Sequence, residues 1–400
     1  MPSDSSQIAH PSEPVADLAG VNTAIIHDWL PTVGGGERVL QQMVNAFPNS
    51  TIYTLFDFLT EAERDEISGG RPIVVSRLNR LPGVRRYYRN LLLECTHAIE
   101  EFDVTRADLV LSSSAALAKG VITGPDQEHI AYVHSPPRYA WDMTHEYLQG
   151  IEGRLAFIKR RLARRMLHKF RIWDMRTVAS VTHFVANSHH VARRIRKVYG
   201  READIIYPPV DVEKFALSKG ERENFFLAAS RHVAYKRFDL LVKVFADRPK
   251  DQLLIIGYGP ETAKLKSIAT PNIKFLGHIP HTQVVSYMQR AKAFLFPAYE
   301  DFGIVSIEAQ ACGTPVIGYG KGGTRETVRG LDNSTPTGVH FDSQSPRAIS
   351  EAIDLFEQNL GRFDPDVLRQ HALSFRPERF RTELQEIVIK NGSIGSDVRR

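Results

Sequence analysis

The sequence predicts an α/β protein made of two successive halves, each with a parallel sheet covered by helices. Three observations carry this. Short apolar runs alternate with helical patterns in two separate series. A proline-rich break at Tyr207-Pro208-Pro209 stands between the series. The chain has 400 residues, too many for one ordinary core at roughly 150 residues per domain. With 42% hydrophobic and 24% charged residues, a disordered, collagen-like or coiled-coil chain is excluded.

Residues 1–20 are rich in Ser, Pro, Asp and Ala without period and read as a mobile tail. Ala24-Ile25-Ile26 is a strand, Gly34-Gly35-Gly36 a loop, and Glu37 to Val44 a helix. Strand patterns recur at Leu109–Leu111, His129–Val133 and His183–Ala186. The first domain is placed at 21–205, a linker at 206–222 and the second domain at 223–375. In that second domain, strands are expected at Phe225–Ala229, Leu253–Ile256, Ile273–Leu276, Ala293–Phe296 and Val316-Ile317. Helices are expected at Phe238–Phe245, Val284–Gln289 and Ile304–Cys312, and residues 376–400 form a last segment. Two Rossmann-like halves predict a ligand in the cleft between them, at loops on the carboxyl ends of the strands.

The segment Tyr299 to Glu308 carries the most chemistry. A strand ends at Pro297, an acidic loop follows, and a helix begins near Gly303. The first amides of such a helix lack intrahelical partners and suit a diphosphate. Glu300 in the loop and Glu308 in the helix are each able to accept hydrogen bonds from vicinal hydroxyls. The same residues also fit Asp301 as an N-cap and Glu308 as an ordinary helix residue. Arg231 and Lys236 follow the strand Phe225–Ala229, where fixed positive charge would neutralise a leaving diphosphate. A solvated basic loop is the alternative. Gly34 to Gly36 suit a close approach of backbone to ligand or a tight structural turn. His134 follows an apolar run and precedes Ser135-Pro136-Pro137, so it projects at a strand's end, for a substrate hydroxyl or for structure. His27-Asp28 has the same standing.

Other chemistries lack their signatures. The glycine triplet is neither GxGxxG nor a P-loop, and no GxSxG is present. Cys95 and Cys312 are too few for a disulfide framework and fit a reducing cytoplasm. His189-His190 are adjacent and make poor joint ligands, so no metal site is expected. No apolar run approaches 18 residues, and the first twenty lack a secretory pattern.

Several motifs together resemble the retaining glycosyltransferases of family four, which have the GT-B fold of two facing Rossmann-like domains around an interdomain cleft. They are Glu300/Glu308 around Phe302-Gly303-Ile304-Val305; Pro315-Val316-Ile317 with Gly322-Gly323 and Glu326; Ser230-Arg231 with Lys236; and Asn187-Ser188 before Tyr207 to Asp211. The segments His27-Asp28-Trp29-Leu30, Gly35 to Val39 and His134 to Tyr139 are similar to a subgroup that builds bacterial O-antigens and exopolysaccharides, many of whose members use GDP-mannose.

The resemblance implies roles. Arg231 and Lys236 bind the donor diphosphate, Glu308 the ribose and Glu300 the transferred sugar. The backbone of Gly303, Ile304 and Val305 contacts phosphate and sugar, and Gly35 and Gly36 lie near the diphosphate. Ile279 reads the base through its backbone, and His134 sits beside the sugar. Pro377 to Ile389 crosses back onto the first domain. The implied donor is a nucleotide sugar, with no metal or other cofactor, and the implied acceptor is a glycan on polyprenyl diphosphate. Other activities on the same scaffold are a UDP-sugar-dependent transferase, a sugar-nucleotide epimerase, a phosphorylase and a silent scaffold of an assembly complex.

The net charge of +5 is unevenly spread. Residues 150–201 hold fourteen Lys or Arg against Glu152 and Asp174. Leu155, Ile158, Leu162, Met166, Phe170 and Trp173 form an apolar stripe among these cations, and a second basic stretch runs from Arg77 to Arg89. The pattern fits docking on an anionic membrane or a helix packed on the sheet with a solvated basic face. Nucleic acid is not expected, for no binding module accompanies the charge. The expected location is the cytoplasm, peripheral to the inner face of the cell membrane.

Overall fold

A computed structural model describes residues 18–391, Lys219 excepted. The expected tail at 1–17 and the last residues, 392–400, lie outside the described residues. Leu18–Gly20 form a 3₁₀ turn with Leu18 buried, so these three do not belong to a tail.

Two parallel sheets organise the chain. The first contains β1 (Thr23–His27), β2 (Ser50–Thr54), β3 (Ile73–Val75), β4 (Leu109–Ser114), β5 (Glu128–Val133), β6 (His183–Ala186) and β7 (Asp204–Ile205), in the order β3-β2-β1-β4-β5-β6-β7. The second contains β8 (Phe225–Ala229), β9 (Gln252–Ile256), β10 (Ile273–Gly277), β11 (Ala293–Phe296), β12 (Val316–Tyr319) and β13 (Gly338–Phe341), in the order β10-β9-β8-β11-β12-β13. Every residue of β1, β4 and β11 is buried. That is what helices on both faces of a parallel sheet impose, and it explains the apolar runs Ala24–Ile26, Leu109–Leu111 and Ala293–Phe296 within them. In each sheet the order reverses once, between β1 and β4 and between β8 and β11. Loops at the carboxyl ends of those strands diverge and leave room for a ligand.

The chain divides into two compact units, residues 1–185 with 381–400, and residues 186–380. The expected linker at 206–222 is not where the division falls. Val210, Val212 and Phe215 are buried in one apolar cluster with Phe225, Phe296 and Phe302 of the second unit. Arg222, at the end of that expected linker, donates to the carbonyls of Gln289 at 2.7 Å and Gly313 at 2.5 Å. At the other end the helix Pro377–Asn391 spans the second division. Beyond it, Arg381 donates to Gln42 Oε1 at 2.5 Å and Gln385 to the Ala46 carbonyl at 2.9 Å.

The basic helix extends over Ala156–Arg176. Its expected stripe does not act as one surface. Phe170 is buried, with Leu167, whereas Leu155, Ile158 and Leu162 are exposed. A 21-residue helix is about 32 Å long, and it buries apolar side chains only in its later turns, while Arg160 of the early turns donates to the carbonyls of Gln149 and Ile151. There Asp174 forms a fully buried ion pair with Lys119 at 2.8 Å, and Trp141 Nε1 donates to the same carboxylate at 2.8 Å. The second basic stretch folds into short 3₁₀ turns. Val84 and Tyr88 are buried, and Arg80, Arg85, Arg86 and Arg89 are exposed.

Candidate active site

In the first unit, a cluster forms at the ends of the three central strands. His27 ends β1 and stands in register with Ser113 of β4. The Ser113 hydroxyl lies 3.0 Å from His27 Nδ1 and 2.8 Å from His134 Nε2, so it links the two imidazoles. Glu37, in the first turn of the helix Gly35–Ala46, lies 4.0 Å from His27 Nε2 and accepts from the Gly34 amide at 2.9 Å. Burial works to raise the Glu37 carboxyl, but His27 and the Gly34 amide hold it below its ordinary range. A Cβ at Gly36 would stand 3.8 Å from the His27 ring and 4.0 Å from the His134 ring. Gly36, His27, Ser113 and His134 therefore occupy one place. Burial, with His27 as neighbour, pushes His134 down to about 3, so it is a neutral hydrogen-bonding group rather than a cation.

Asp28 is not available to a ligand. Its two oxygens accept from the amides of Ala115, Ala116, Leu117 and Ala118 at 2.8, 2.8, 2.8 and 2.6 Å. It anchors the loop after β4, and of the His27-Asp28 pair only His27 joins the cluster.

In the second unit, the loops after β8 and β11 meet, as the order of their strands requires. Lys236 Nζ donates to Glu300 Oε1, and both side chains are half-buried. The ammonium also lies 5.9 Å from the centre of the Phe296 ring. Burial pushes Lys236 down to about 8, while its contact with the carboxylate favours the charged form. The next residue, Arg237, is the single non-glycine with positive φ among the described residues, at 55°. Strain of this kind is retained where the surroundings over-determine a loop. Arg231 lies exposed just after β8.

The acidic loop is shaped by glycine. Gly303 caps the helix Ile304–Ala311 with φ of 88°, and a Cβ there would stand 3.0 Å from Phe296. The Gly323 amide donates to the Glu300 carbonyl at 2.8 Å, and a Cβ on Gly323 would stand 2.2 Å from the Phe302 backbone. Asp301 is not the N-cap allowed for it, for it pairs with Arg194 at 2.7 Å. Glu308 lies in that helix, where burial pushes its carboxyl up to about 7, with no hydrogen bond among the described residues to offset this. Ile279, after β10, packs on the same apolar cluster as Ile304 and Val305. Among the described residues, no group of three His, Cys, Asp or Glu side chains is placed to hold a metal ion.

The model of glycosyl transferases group 1 matches residues 210–364, and that of glycosyltransferase family 4 matches residues 33–214. The chain belongs to the group 1, family 4 glycosyltransferases. This family member is 32% identical over 207 residues to a GDP-mannose-dependent monoacylated alpha-(1-6)-phosphatidylinositol monomannoside mannosyltransferase of Corynebacterium glutamicum. That match covers 44% of this chain and 53% of the relative. It is 25% identical over 229 residues to a D-inositol 3-phosphate glycosyltransferase of Mycobacterium tuberculosis, covering 51% and 48%. The chain thus spans about half the length of the curated relatives it matches. Among solved structures it resembles HepE of Anabaena, in complex with UDP and glucose, with a TM-score of 0.66 and 16% identity over 92% of this chain and 99% of that one. It also resembles sucrose-phosphate synthase of Thermosynechococcus elongatus, with a TM-score of 0.68 and 16% identity over 92% and 98%. These likenesses show the GT-B fold.

Three parts of the glycosyltransferase escaped the sequence. The Glu326 carboxylate accepts the amides of His189 and His190, both at 2.8 Å, at the start of the helix His189–Tyr199. Ser188, which caps that helix, donates to the Asp301 carbonyl at 2.7 Å. Ser113, the link between His27 and His134, is the middle of three serines that end β4. Glu326 and Ser188 were visible only as parts of motifs, and nothing local to Ser113 marks it.

Proposed function

We propose that this chain transfers a hexosyl group, from GDP-mannose as the first choice, to a lipid-linked oligosaccharide, with retention of configuration. The observation that carries the reading is Glu308, in the helix that starts after Gly303, whose carboxyl burial pushes up to about 7 and which has no hydrogen-bond partner among the described residues. It is suited to receive the two hydroxyls of a ribose, and Lys236 with Arg231 is suited to the diphosphate. Glu300, already held by Lys236, is suited to the transferred sugar. The backbone of Gly303, Ile304 and Val305 offers amides to phosphate, and Ile279 is suited to border the base. In the first unit, neutral His134 is suited to a sugar hydroxyl, next to Gly35 and Gly36 at the start of the helix Gly35–Ala46.

The chemistry follows from these groups. The bond from the anomeric carbon to the diphosphate breaks through an oxocarbenium-like state. Lys236, Arg231 and the helix amides stabilise the departing charge. The acceptor hydroxyl attacks from the same face, and a donor phosphate oxygen takes its proton. The mannosyl choice and the lipid-borne acceptor are supported by the Corynebacterium relative, whose name carries both. HepE, crystallised with UDP and glucose, supports a UDP-sugar as the second reading. We place the reaction in bacterial exopolysaccharide or O-antigen assembly, at the cytoplasmic face of the membrane.

A donor panel of GDP-mannose, UDP-glucose, UDP-galactose and UDP-N-acetylglucosamine with lipid-linked acceptors tests the reading. Conversion of donor without acceptor would replace it by epimerisation, and absence of sugar-nucleotide binding by a silent scaffold. Glu308→Gln should lower kcat/KM about 10²-fold, the loss of roughly two hydrogen bonds to a charged group. Unaltered turnover would remove Glu308 from the donor site. The fold should not suffer, because the amide replaces a carboxyl that burial already disfavours in its charged form.

Donor binding should also depend on pH. Lys236 is charged below about 8, and Glu308 is ionised above about 7. Both are in their charged forms between those values. Affinity for a nucleoside diphosphate should therefore weaken as pH rises through 8, with proton uptake on binding there. Calorimetry in two buffers of different ionisation enthalpy measures that uptake, and Lys236→Met should abolish it.

A further inference from the structure

We propose that the first turns of the basic helix Ala156–Arg176, with Arg154 and Leu155 ahead of them, dock on an anionic lipid surface. Four large apolar side chains stand in solvent there: Leu155, Phe157, Ile158 and Leu162, with Phe157 75% exposed. Leu155, Ile158 and Leu162 follow spacings of three and four, so they share one side of the helix, and Phe157 flanks it. Exposed cations surround them, namely Arg154, Lys159, Arg161, Arg164 and Arg165. No Asp or Glu occurs from Gly153 to Trp173.

The rest of the helix has a partner within its own unit, which makes the bare turns distinctive. Leu167, Phe170 and Asp174 are buried, and Asp174 is locked by Lys119. Anchorage at one end holds the other end outward in a defined orientation. Side chains of this size left in water are an interaction surface rather than scattered exposure. The charge complementarity selects the occupant. An apolar strip bordered by cations and empty of acids matches acyl chains beneath anionic headgroups. A protein interface of this size depletes charge at its centre instead. No described helix is long and apolar enough to cross a membrane, so the element lies on the surface rather than through it.

The inference deepens the reading of a lipid-borne acceptor, yet vesicle binding is measured without donor or acceptor, and the two readings fail separately. The full chain is sedimented with vesicles of phosphatidylcholine alone or mixed with phosphatidylglycerol. Binding is expected on the mixed vesicles alone and should weaken with salt. Arg161→Gln, Arg164→Gln and Arg165→Gln together should lower the partition coefficient about a hundredfold, at roughly fivefold per cation. Phe157→Ser, Ile158→Ser and Leu162→Ser together should lower it at least tenfold. Both triple variants should keep wild-type turnover on a detergent-soluble acceptor and wild-type thermal midpoints, since every altered side chain is exposed. Equal binding to both vesicles, binding to neither, or full binding by the serine variant would overturn the proposal. So would self-association that disappears in the serine variant without any vesicle binding by the wild type, which would assign the surface to a second copy.

Discussion

Lys236→Ala should lower kcat by about 10² to 10³ with whichever donor the enzyme accepts, while the protein stays folded. The expected size is that of removing one preorganised charge from the place where negative charge develops, about 3–4 kcal/mol. The Lys236 ammonium lies in a half-buried slot with the Phe296 ring on one side and Glu300 on another. Water entering a vacated slot cannot supply a fixed positive charge. Lys236→Arg should not restore the rate, because a planar guanidinium does not fit a slot shaped for a compact ammonium. A second effect separates this reading from simple structural loss. Without Lys236, Glu300 loses its ion-pair partner, so pairing Lys236→Ala with Glu300→Gln should cost less than the two single losses combined. Additive losses in kcat, or a rate for Lys236→Ala within tenfold of wild type, would show that the contact plays no part in turnover.

Asp28→Ala should cost about 4 kcal/mol of stability, read as a fall of about 8–16 °C in the thermal midpoint of the first unit. Four amides donate to this one carboxylate, at 2.6–2.8 Å. Three of the four belong to buried residues, Ala116, Leu117 and Ala118. Removing the acceptor leaves buried donors without partners, a cost of about 1–3 kcal/mol each before any water enters. Asp28→Asn should lie between, since its carbonyl keeps part of the arrangement. The damage should reach the neighbouring cluster, because Asp28 follows His27 and the anchored loop follows Ser113. Calorimetry gives the midpoint, and nuclear resonance of the His134 ring follows its setting. A midpoint within 2 °C of wild type would mean that the loop after β4 holds itself.

What was legible and what was not divides by the distance over which each feature is determined. The strands Ala24–Ile26, Leu109–Leu111 and Phe225–Ala229 read correctly because a strand buried on both faces is an apolar run, whatever surrounds it. The strand end, loop and helix start that carry Glu300, Gly303 and Glu308 read correctly, since they are contiguous. Their partners did not. Lys236 and Glu300 are 64 residues apart, and Glu326 is 136 or 137 residues from the amides it holds. Such contacts come from strand order, which periodicity does not contain. Asp28 was left open between the two roles for a related reason: an acid at a strand's end looks the same facing a ligand or facing four amides. The division after Val185 was not legible, because the first sheet continues to β7 and Tyr207-Pro208-Pro209 breaks the regular structure only beyond it, while Val210, Val212 and Phe215 bury themselves in the second unit's core. The apolar stripe of the basic helix was genuine in spacing. Which part of it is covered depends on how far the surface beneath extends.

The buried pair of Lys119 and Asp174 has a geometric consequence. A helix whose exposed and covered flanks both carry leucines has several rotational settings of similar apolar burial. Advancing the Ala156–Arg176 helix by one residue would turn it about 100° about its axis. Asp174 would then leave Lys119, and two charges would be stranded in a dry interior, a cost of several kcal/mol each. The ion pair therefore acts as an angular stop. It sets which azimuth of the helix faces outward at Phe157 and Ile158, four turns away from the charge that decides it.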